Sequence, residues 1–295
     1  MSNKNIFLAT FITFLWALNF IVIKIGLESF PPLLFSALRF ILCAIPLVFF
    51  VDRKMMSFKT IIGVGFFLGF VKFGLLFVGM HLGMTAALSS IVLQVQTFFT
   101  AILAYFILKQ SLSLTKIIGM IIAFLGILGM FIERLNSTEI GFYSFSLIVI
   151  AGLAWAISNI IINKSKEVEP LSLIVWMSLI PPIPLLILSY FFETNQVNTL
   201  LNIGIKEIMV LVYTSGISTL FGFAIWSRLI KENGASEIAP FSLLVPVFGV
   251  ILSYIYGESL TLIEIISSLI MFIGLIVFVL GESILRKGFF SIKDN

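Results

Sequence analysis

One stretch of this chain is written twice. Ile102-Leu103-Ala104-Tyr105 and Gln110-Ser111-Leu112-Ser113-Leu114 return as Ile251-Leu252-Ser253-Tyr254 and Glu258-Ser259-Leu260-Thr261-Leu262. From there the match continues in step. Ile117, Ile118, Ile122, Phe124 and Gly126 reappear 148 residues on as Ile265, Ile266, Ile270, Phe272 and Gly274. A duplication constrains the fold before any single residue does, because each copy is a structural unit that must bury its apolar face against a neighbour.

Composition sets the solvent those units meet. Hydrophobic residues make up 60% of the 295 and charged residues 11%, with a mean hydropathy of +1.18. Soluble domains carry about 25% charged residues, so most of this surface must face lipid. The 32 phenylalanines suit such a surface. A net charge of +4 implies no nucleic-acid partner. Cys43, the single cysteine, lies in an apolar run and cannot form an internal disulfide.

A helix needs roughly 20 mostly apolar residues to span the hydrocarbon core. Such runs lie near 6–27, 31–51, 60–82, 86–108, 114–132, 141–163, 171–192, 206–230, 235–256 and 261–281. Helices are expected throughout, because the bilayer core offers the backbone no outside partner. The first run is too long for a signal-peptide core and lacks a small-residue cleavage site, so it reads as a retained helix. Pro31-Pro32 and Pro170 sit where helices should begin. Asp52-Arg53-Lys54, Glu133-Arg134-Leu135-Asn136 and Lys164-Ser165-Lys166-Glu167 are polar breaks.

The cations test this count of spans. With the N-terminus cytoplasmic, the cytoplasmic segments hold Lys4, Arg53, Lys54, Lys59, Lys109, Lys116, Lys164, Lys166, Arg228, Lys231, Arg286, Lys287 and Lys293, thirteen in all. The opposite side holds three: Lys24, Arg134 and Lys206. That bias fits ten spans with both termini cytoplasmic. Five spans per copy is an odd number, so the second copy enters the membrane from the other side and the repeat is inverted. The expected division is 1–136, 137–281 and a basic, amphipathic cytoplasmic tail 282–295 at the inner surface. The first helices of the halves agree: Trp16-Ala17-Leu18-Asn19 and Lys24 are echoed by Trp155-Ala156-Ile157-Ser158-Asn159 and Lys164.

Polar residues at mid-span separate a passive bundle from a working site. Arg39 and Lys72 both lie deep in their spans. A cation at the bilayer centre costs about 2.5–3.5 kcal/mol even on the lenient insertion scale. It is expected to turn inward; the alternative for Arg39 is snorkelling to the outer headgroups. Lys24, near the outer end of its helix, reads as an interfacial anchor. No Asp or Glu falls in the central part of any span; Glu258 and Glu264 flank the last loop. A cavity lined by Arg39 and Lys72 would be net positive and suit an anionic or carboxylate-bearing solute. His81 reads as an interfacial histidine.

Trp16 and Trp155 fall at mid-depth, whereas membrane tryptophans prefer interfaces. They read as core packing or as an aromatic wall; Trp176 and Trp226 fit the ordinary belt. Asn19 and Asn159, one turn on, offer donors and acceptors. Gln94 and Gln96 are two apart on one helix, so at most one, Gln94 by preference, should line a cavity while the other bridges helices. Pro46, Pro181, Pro182, Pro184 and Pro246 should kink or unwind their spans. Gly65/Gly69 and Gly79/Gly83 have the small-xxx-small spacing of close helix contacts.

These residues resemble the drug/metabolite transporter superfamily, EamA type, and within it the bacterial exporters of O-acetylserine and cysteine. The stretches that carry the resemblance are Trp16–Gly26, Pro31–Phe40, Ser89–Phe99, Trp155–Lys164, Ile174–Pro184 and Ala239–Gly249. They cover both repeats. The resemblance implies an all-α integral membrane fold of ten helices, as two inverted five-helix repeats around a central cavity open alternately to each side. It implies a secondary transporter of the bacterial inner membrane, not an enzyme, exporting small amino-acid metabolites, with a small-molecule substrate, a lipid bilayer around it and no cofactor or metal. Lys72 departs from the pattern, standing where a neutral amide is expected in such exporters. In this reading Arg39 and Lys72 attract the substrate carboxylate, Asn19, Asn159 and Gln94 orient it, and Trp16 and Trp155 wall the cavity. The alternatives are an exporter of drugs, nucleosides or sugars, and a non-transporting scaffold or sensor. A membrane enzyme would want clustered acids or histidines, and the chain has one His. Arg39 and Lys72 lie only in the first half, so the charge-binding side of the cavity is expected there.

Overall fold

The computed structural model describes residues 1–53, 56–137, 139–165 and 168–291; the side chains of 137, 139–140, 235–236 and 282–291 lie outside the description. Lys54, Lys166, Glu167 and the tail side chains from Glu282 to Asn295 therefore fall outside it.

Among the described residues, nine helices are long and apolar enough to cross a membrane: α1 (Asn3–Leu27), α2 (Pro32–Phe49), α3 (Phe58–His81), α4 (Ala86–Leu108), α5 (Leu114–Asn136), α6 (Gly141–Lys164), α7 (Pro170–Phe192), α8 (Ile205–Asn233) and α10 (Leu262–Gly281). The shorter apolar α9 (Ala239–Ile255) completes ten. Local chemistry sets the starts. Pro32 and Pro170 occupy the first turn, where a missing N–H does no harm. Ser2, Ser57 and Thr85 cap α1, α3 and α4 by accepting from Asn5, Thr60 and Leu88 N–H.

Several helices are not regular. α2 loses α-helical form after Ala44 and passes Pro46 into a 3₁₀ turn, Leu47–Phe49. α7 stops at Met177 and resumes at Pro182, so its prolines interrupt it as expected. α9 opens as 3₁₀ helix over Ala239–Leu243; Pro246 falls in the first turn of the α-helix that follows. α4 breaks at Leu93-Gln94 with neither Pro nor Gly to announce it. α3 and α8, the third helices of the two halves, each carry a π-helical stretch, Gly65–Lys72 and Tyr213–Phe221. Such stretches are rare and gather at functional sites.

The packing has a two-fold image. α1 packs on α9 as α6 packs on α4, and α1 on α8 as α6 on α3. The pairs α2–α7, α4–α9 and α5–α10 are their own images. The α5–α10 pair shows the symmetry at atomic scale. A Cβ added at Gly126 would collide with Met271 and Ser267; one added at Gly274 would collide with Ala123 and Gly119. Positions 119, 123 and 126 are the repeat partners of 267, 271 and 274. Reciprocal contact of this kind defines an isologous interface. Small residues are what let helices approach where lipid supplies no hydrophobic drive. Of the glycines picked out by spacing, Gly65, Gly69 and Gly79 do face neighbouring helices. Gly83 does not: it turns the chain after α3 at φ +102° with nothing within 4 Å.

Candidate functional site

α5 and α10 stand aside as a pair. The other eight helices ring a cavity of about 400 Å³. All seven residues expected at the site line it: Trp16, Asn19, Arg39, Lys72, Gln94, Trp155 and Asn159.

Arg39 is 2% exposed and Lys72 5%. Neither snorkels. Both lie against one ring, that of Phe73, with Arg39 Cζ 4.0 Å and Lys72 Nζ 3.3 Å from its centroid. Lys72 Nζ also stands 4.7 Å from the Trp155 ring. Arg39 Nη2 donates to Thr219 Oγ1 at 2.7 Å, and Thr219 donates onward to the Thr214 carbonyl inside the π stretch of α8. Arg39 Nε and Nη1 and Asn19 Oδ1 are buried without a hydrogen-bond partner. No Asp or Glu lines the cavity among the described residues, and no ion pair there involves Arg39 or Lys72. Buried charge is ordinarily paired, and a negative group in the cavity would supply the partner that Arg39 and Lys72 lack among the described residues.

Polar and aromatic neighbours complete the wall. Trp16 Nε1 donates to the Ser218 carbonyl at 2.9 Å, and its ring packs on Trp226 and Phe223 at 4.9 and 5.3 Å. Gly222 permits that approach, since a Cβ there would lie 2.7 Å from Trp16 Nε1. Asn159 donates to Gln96 Oε1 and Thr100 Oγ1 at 3.0 and 3.1 Å. Gln94 Nε2 donates to the Ser242 carbonyl across the interface between halves at 3.4 Å.

Two expectations are corrected here. Gln94 and Gln96 both line the cavity. The rule that residues two apart point different ways assumes an unbroken helix, and α4 is broken at Leu93-Gln94. Trp226 lies in the cavity wall, not in an interfacial belt. Its place in the sequence, near the end of α8, matches that of a belt residue; only the fold brings it against Trp16. Trp176 donates to the Val51 carbonyl at 2.8 Å, at the end of α2. His81 is exposed at the end of α3.

Beyond the lining residues at one end of the cavity, helix ends are tied together. On the face away from the termini, the Glu258 carboxylate pairs with Lys24 and accepts from the Ser253 hydroxyl. It also accepts from Ala86 and Ala87 N–H at 2.9 and 3.4 Å, at the positive N-terminal end of α4. Lys24, its side chain 38% exposed, thus pairs with a carboxylate that is itself buried. Glu193, at the end of α7, likewise accepts from Leu33 and Leu34 N–H at the start of α2, at 2.6 and 3.1 Å. Glu28 bonds Lys206 at 2.7 Å and Tyr256 at 3.0 Å, and these bonds hold its carboxyl below the usual range. The lining residues nearest the other face, Ile174, Ile230 and Ala239, carry the cavity toward the termini. Among the described residues no group of three or more His, Cys, Asp or Glu is placed to hold a metal.

The EamA-like transporter family model matches this chain twice, over residues 3–132 and 142–280. The chain belongs to that family. It is a multi-pass membrane protein of a transporter family, with a small-molecule substrate, and not an enzyme. A protein of Salmonella typhimurium strain LT2 named "probable amino-acid metabolite efflux pump" is 36% identical over 293 residues, covering 97% of this chain and 98% of that protein. One of the same name from Escherichia coli K12 is 34% identical, covering 95% and 96%. A solved crystal structure shares the fold, with a TM-score of 0.61 over 92% of this chain and 97% of that one at 15% identity.

Proposed function

We propose that this EamA-type transporter exports small amino-acid metabolites across the bacterial inner membrane by alternating access, with both termini cytoplasmic. The observation that carries the reading is the pair of buried, uncompensated cations, Arg39 and Lys72, facing one central cavity. Membrane-embedded cations of this kind mark substrate pathways. The names of the Salmonella and Escherichia relatives, and the thirteen-to-three distribution of peripheral cations, support the substrate class and the orientation.

In this reading Arg39 and Lys72 hold the substrate carboxylate, and Asn19, Asn159 and Gln94 orient it. Trp16 and Trp155 wall the site. Lys72 already occupies a face of Trp155, so that ring supports the cation. The units divide as 1–136 and 137–281, with 282–295 a cytoplasmic tail. The cavity reaches toward the cytoplasm while Glu258 and Glu193 tie helix ends together on the periplasmic side, which fits an inward-facing state.

Counterflow in proteoliposomes tests this directly. Vesicles preloaded with unlabelled amino-acid metabolites should accumulate the labelled ones. Accumulation of labelled sugars or nucleosides instead would overturn the substrate class.

A further inference from the structure

The charges in the cavity say more than that a carboxylate binds. We infer that the preferred substrate is net anionic: an amino-acid derivative whose amine is acylated, or one that carries a second acid group. This rests on the exporter reading above and narrows it.

A zwitterion brings one negative and one positive group. Its carboxylate would satisfy the cations beside Phe73, but its ammonium would enter the same enclosure. That enclosure holds two cations and, among the described residues, no carboxylate. A like charge placed there is repelled at close range in a low dielectric. Aromatic faces are the usual substitute for a carboxylate in receiving an ammonium, and those beside the two cations are already engaged. Trp155 faces Lys72, and Phe73 faces both cations. Trp16 packs on Trp226 and Phe223.

The neutral atoms point the same way. Asn19 Oδ1 is a buried acceptor with no donor, in the lining of the same cavity as the cationic pair. An acylated amine offers one N–H, which matches that single acceptor. A second acid group would instead take up the free N–H groups at Arg39 Nε and Nη1. Both chemistries give a net negative solute. Both leave less positive charge uncompensated beside Phe73 than a zwitterion does, and unpaired buried charge is what burial penalises.

The test is competition against counterflow of a labelled amino-acid metabolite in proteoliposomes. The competitors are alanine, N-acetylalanine, aspartate and alaninamide, each at the same concentration. N-acetylalanine or aspartate, or both, should compete at least about tenfold better than alanine, and alaninamide should not compete, because like-charge juxtaposition is strongly disfavoured. Competition by N-acetylalanine alone identifies the amide arm; by aspartate alone, the second-acid arm. Alanine competing as well as the anions overturns this inference and leaves the exporter reading standing. Failure of any labelled amino-acid metabolite to move overturns both. A Lys72→Gln variant adds a second check: its preference for anions over alanine should collapse, and Lys72→Arg should restore it. A Lys72→Gln protein that inserts, transports and keeps the wild-type preference also overturns the inference.

Discussion

Seven residues on from Pro32 stands Arg39; seven on from Pro170, at the matching place in the second half, stands Met177. Both line the cavity. The contrast extends to the third helices. The π stretch of α3 ends in Lys72, whereas that of α8 carries Ser215, Ser218 and Thr219. The hydroxyl and carbonyl groups of α8 accept from the first half: Thr219 from Arg39, the Ser218 carbonyl from Trp16, the Ser215 carbonyl from Cys43. At the tied end the second half again supplies acceptors. Glu193 and Glu258 take the N–H groups that open α2 and α4. In these contacts the first half brings donors and charge and the second half receives them, while Asn159, Lys206, Tyr213 and Tyr256 donate the other way. Duplication preserved the scaffold and let the site become asymmetric, as a substrate with two different ends requires.

The sharpest way to break that comparison is to exchange its defining pair. Arg39→Gln should lower efflux by about 100-fold, since truncating a buried partner of a charged group costs about 2–5 kcal/mol. Met177→Gln should change it by no more than about threefold, because a surface facing a cavity tolerates one polar group. Initial rates in proteoliposomes, normalised to inserted protein, check both. Equal losses would mean that the two halves contribute alike.

At the scaffold the halves should instead behave identically. Gly126→Leu and Gly274→Leu each drive a side chain into the backbone of the partner helix. Each should destabilise by about 1–3 kcal/mol, the range for overpacking. The melting midpoints in detergent should fall together. A large difference between the two variants would refute the two-fold packing of α5 on α10.

Sequence reading reached the scaffold readily and the site in part, for physical reasons. Apolar runs and proline positions are local signals, so the spans and the interruption of α7 were legible. The mid-depth Trp-Ala and Asn pairs were legible because the repeat printed them twice. The break in α4 was not, because Leu93-Gln94-Val95 contains no helix breaker. An unbroken helix would turn Gln94 and Gln96 different ways. Trp226 and the Glu258 network were hidden for another reason. Their roles depend on which helices meet, and only the fold brings Glu258 to the start of α4.

The donor–acceptor division also predicts how the tied end opens. Glu258→Gln keeps the shape but removes the charge that pairs with Lys24 and faces the α4 N-terminus. Charge at a helix N-terminus contributes about 0.3–1 kcal/mol, up to about 2 when partly buried. That end should therefore open roughly tenfold more often. With buried Cys43 replaced by Ser, a cysteine placed at Ser90 in the cavity should react faster with a thiol reagent added from the periplasmic side. An unchanged labelling rate would mean that the apolar packing, not the carboxylate, holds that end shut.

The smallest expected effect separates the two tryptophans that the repeat made look alike. Trp16 has a polar anchor in the opposite half, its bond to the Ser218 carbonyl. Trp155 supports Lys72 through its ring face. Trp16→Phe removes the donor and leaves a buried carbonyl short of a partner, a loss of about 1 kcal/mol or roughly fivefold in rate. Trp155→Phe keeps an aromatic face under Lys72, though a weaker one, and should lower the rate about twofold. Their signatures differ more than their sizes. Loss of the Trp16 anchor loosens α1 against α8 and should slow turnover at saturating substrate. Loss of the indole at Trp155 acts through the cation and should raise the substrate concentration needed for half-maximal rate. If both variants shift the same parameter, the tryptophans act as a symmetric pair after all, and the division of labour between the halves stops at the charged residues.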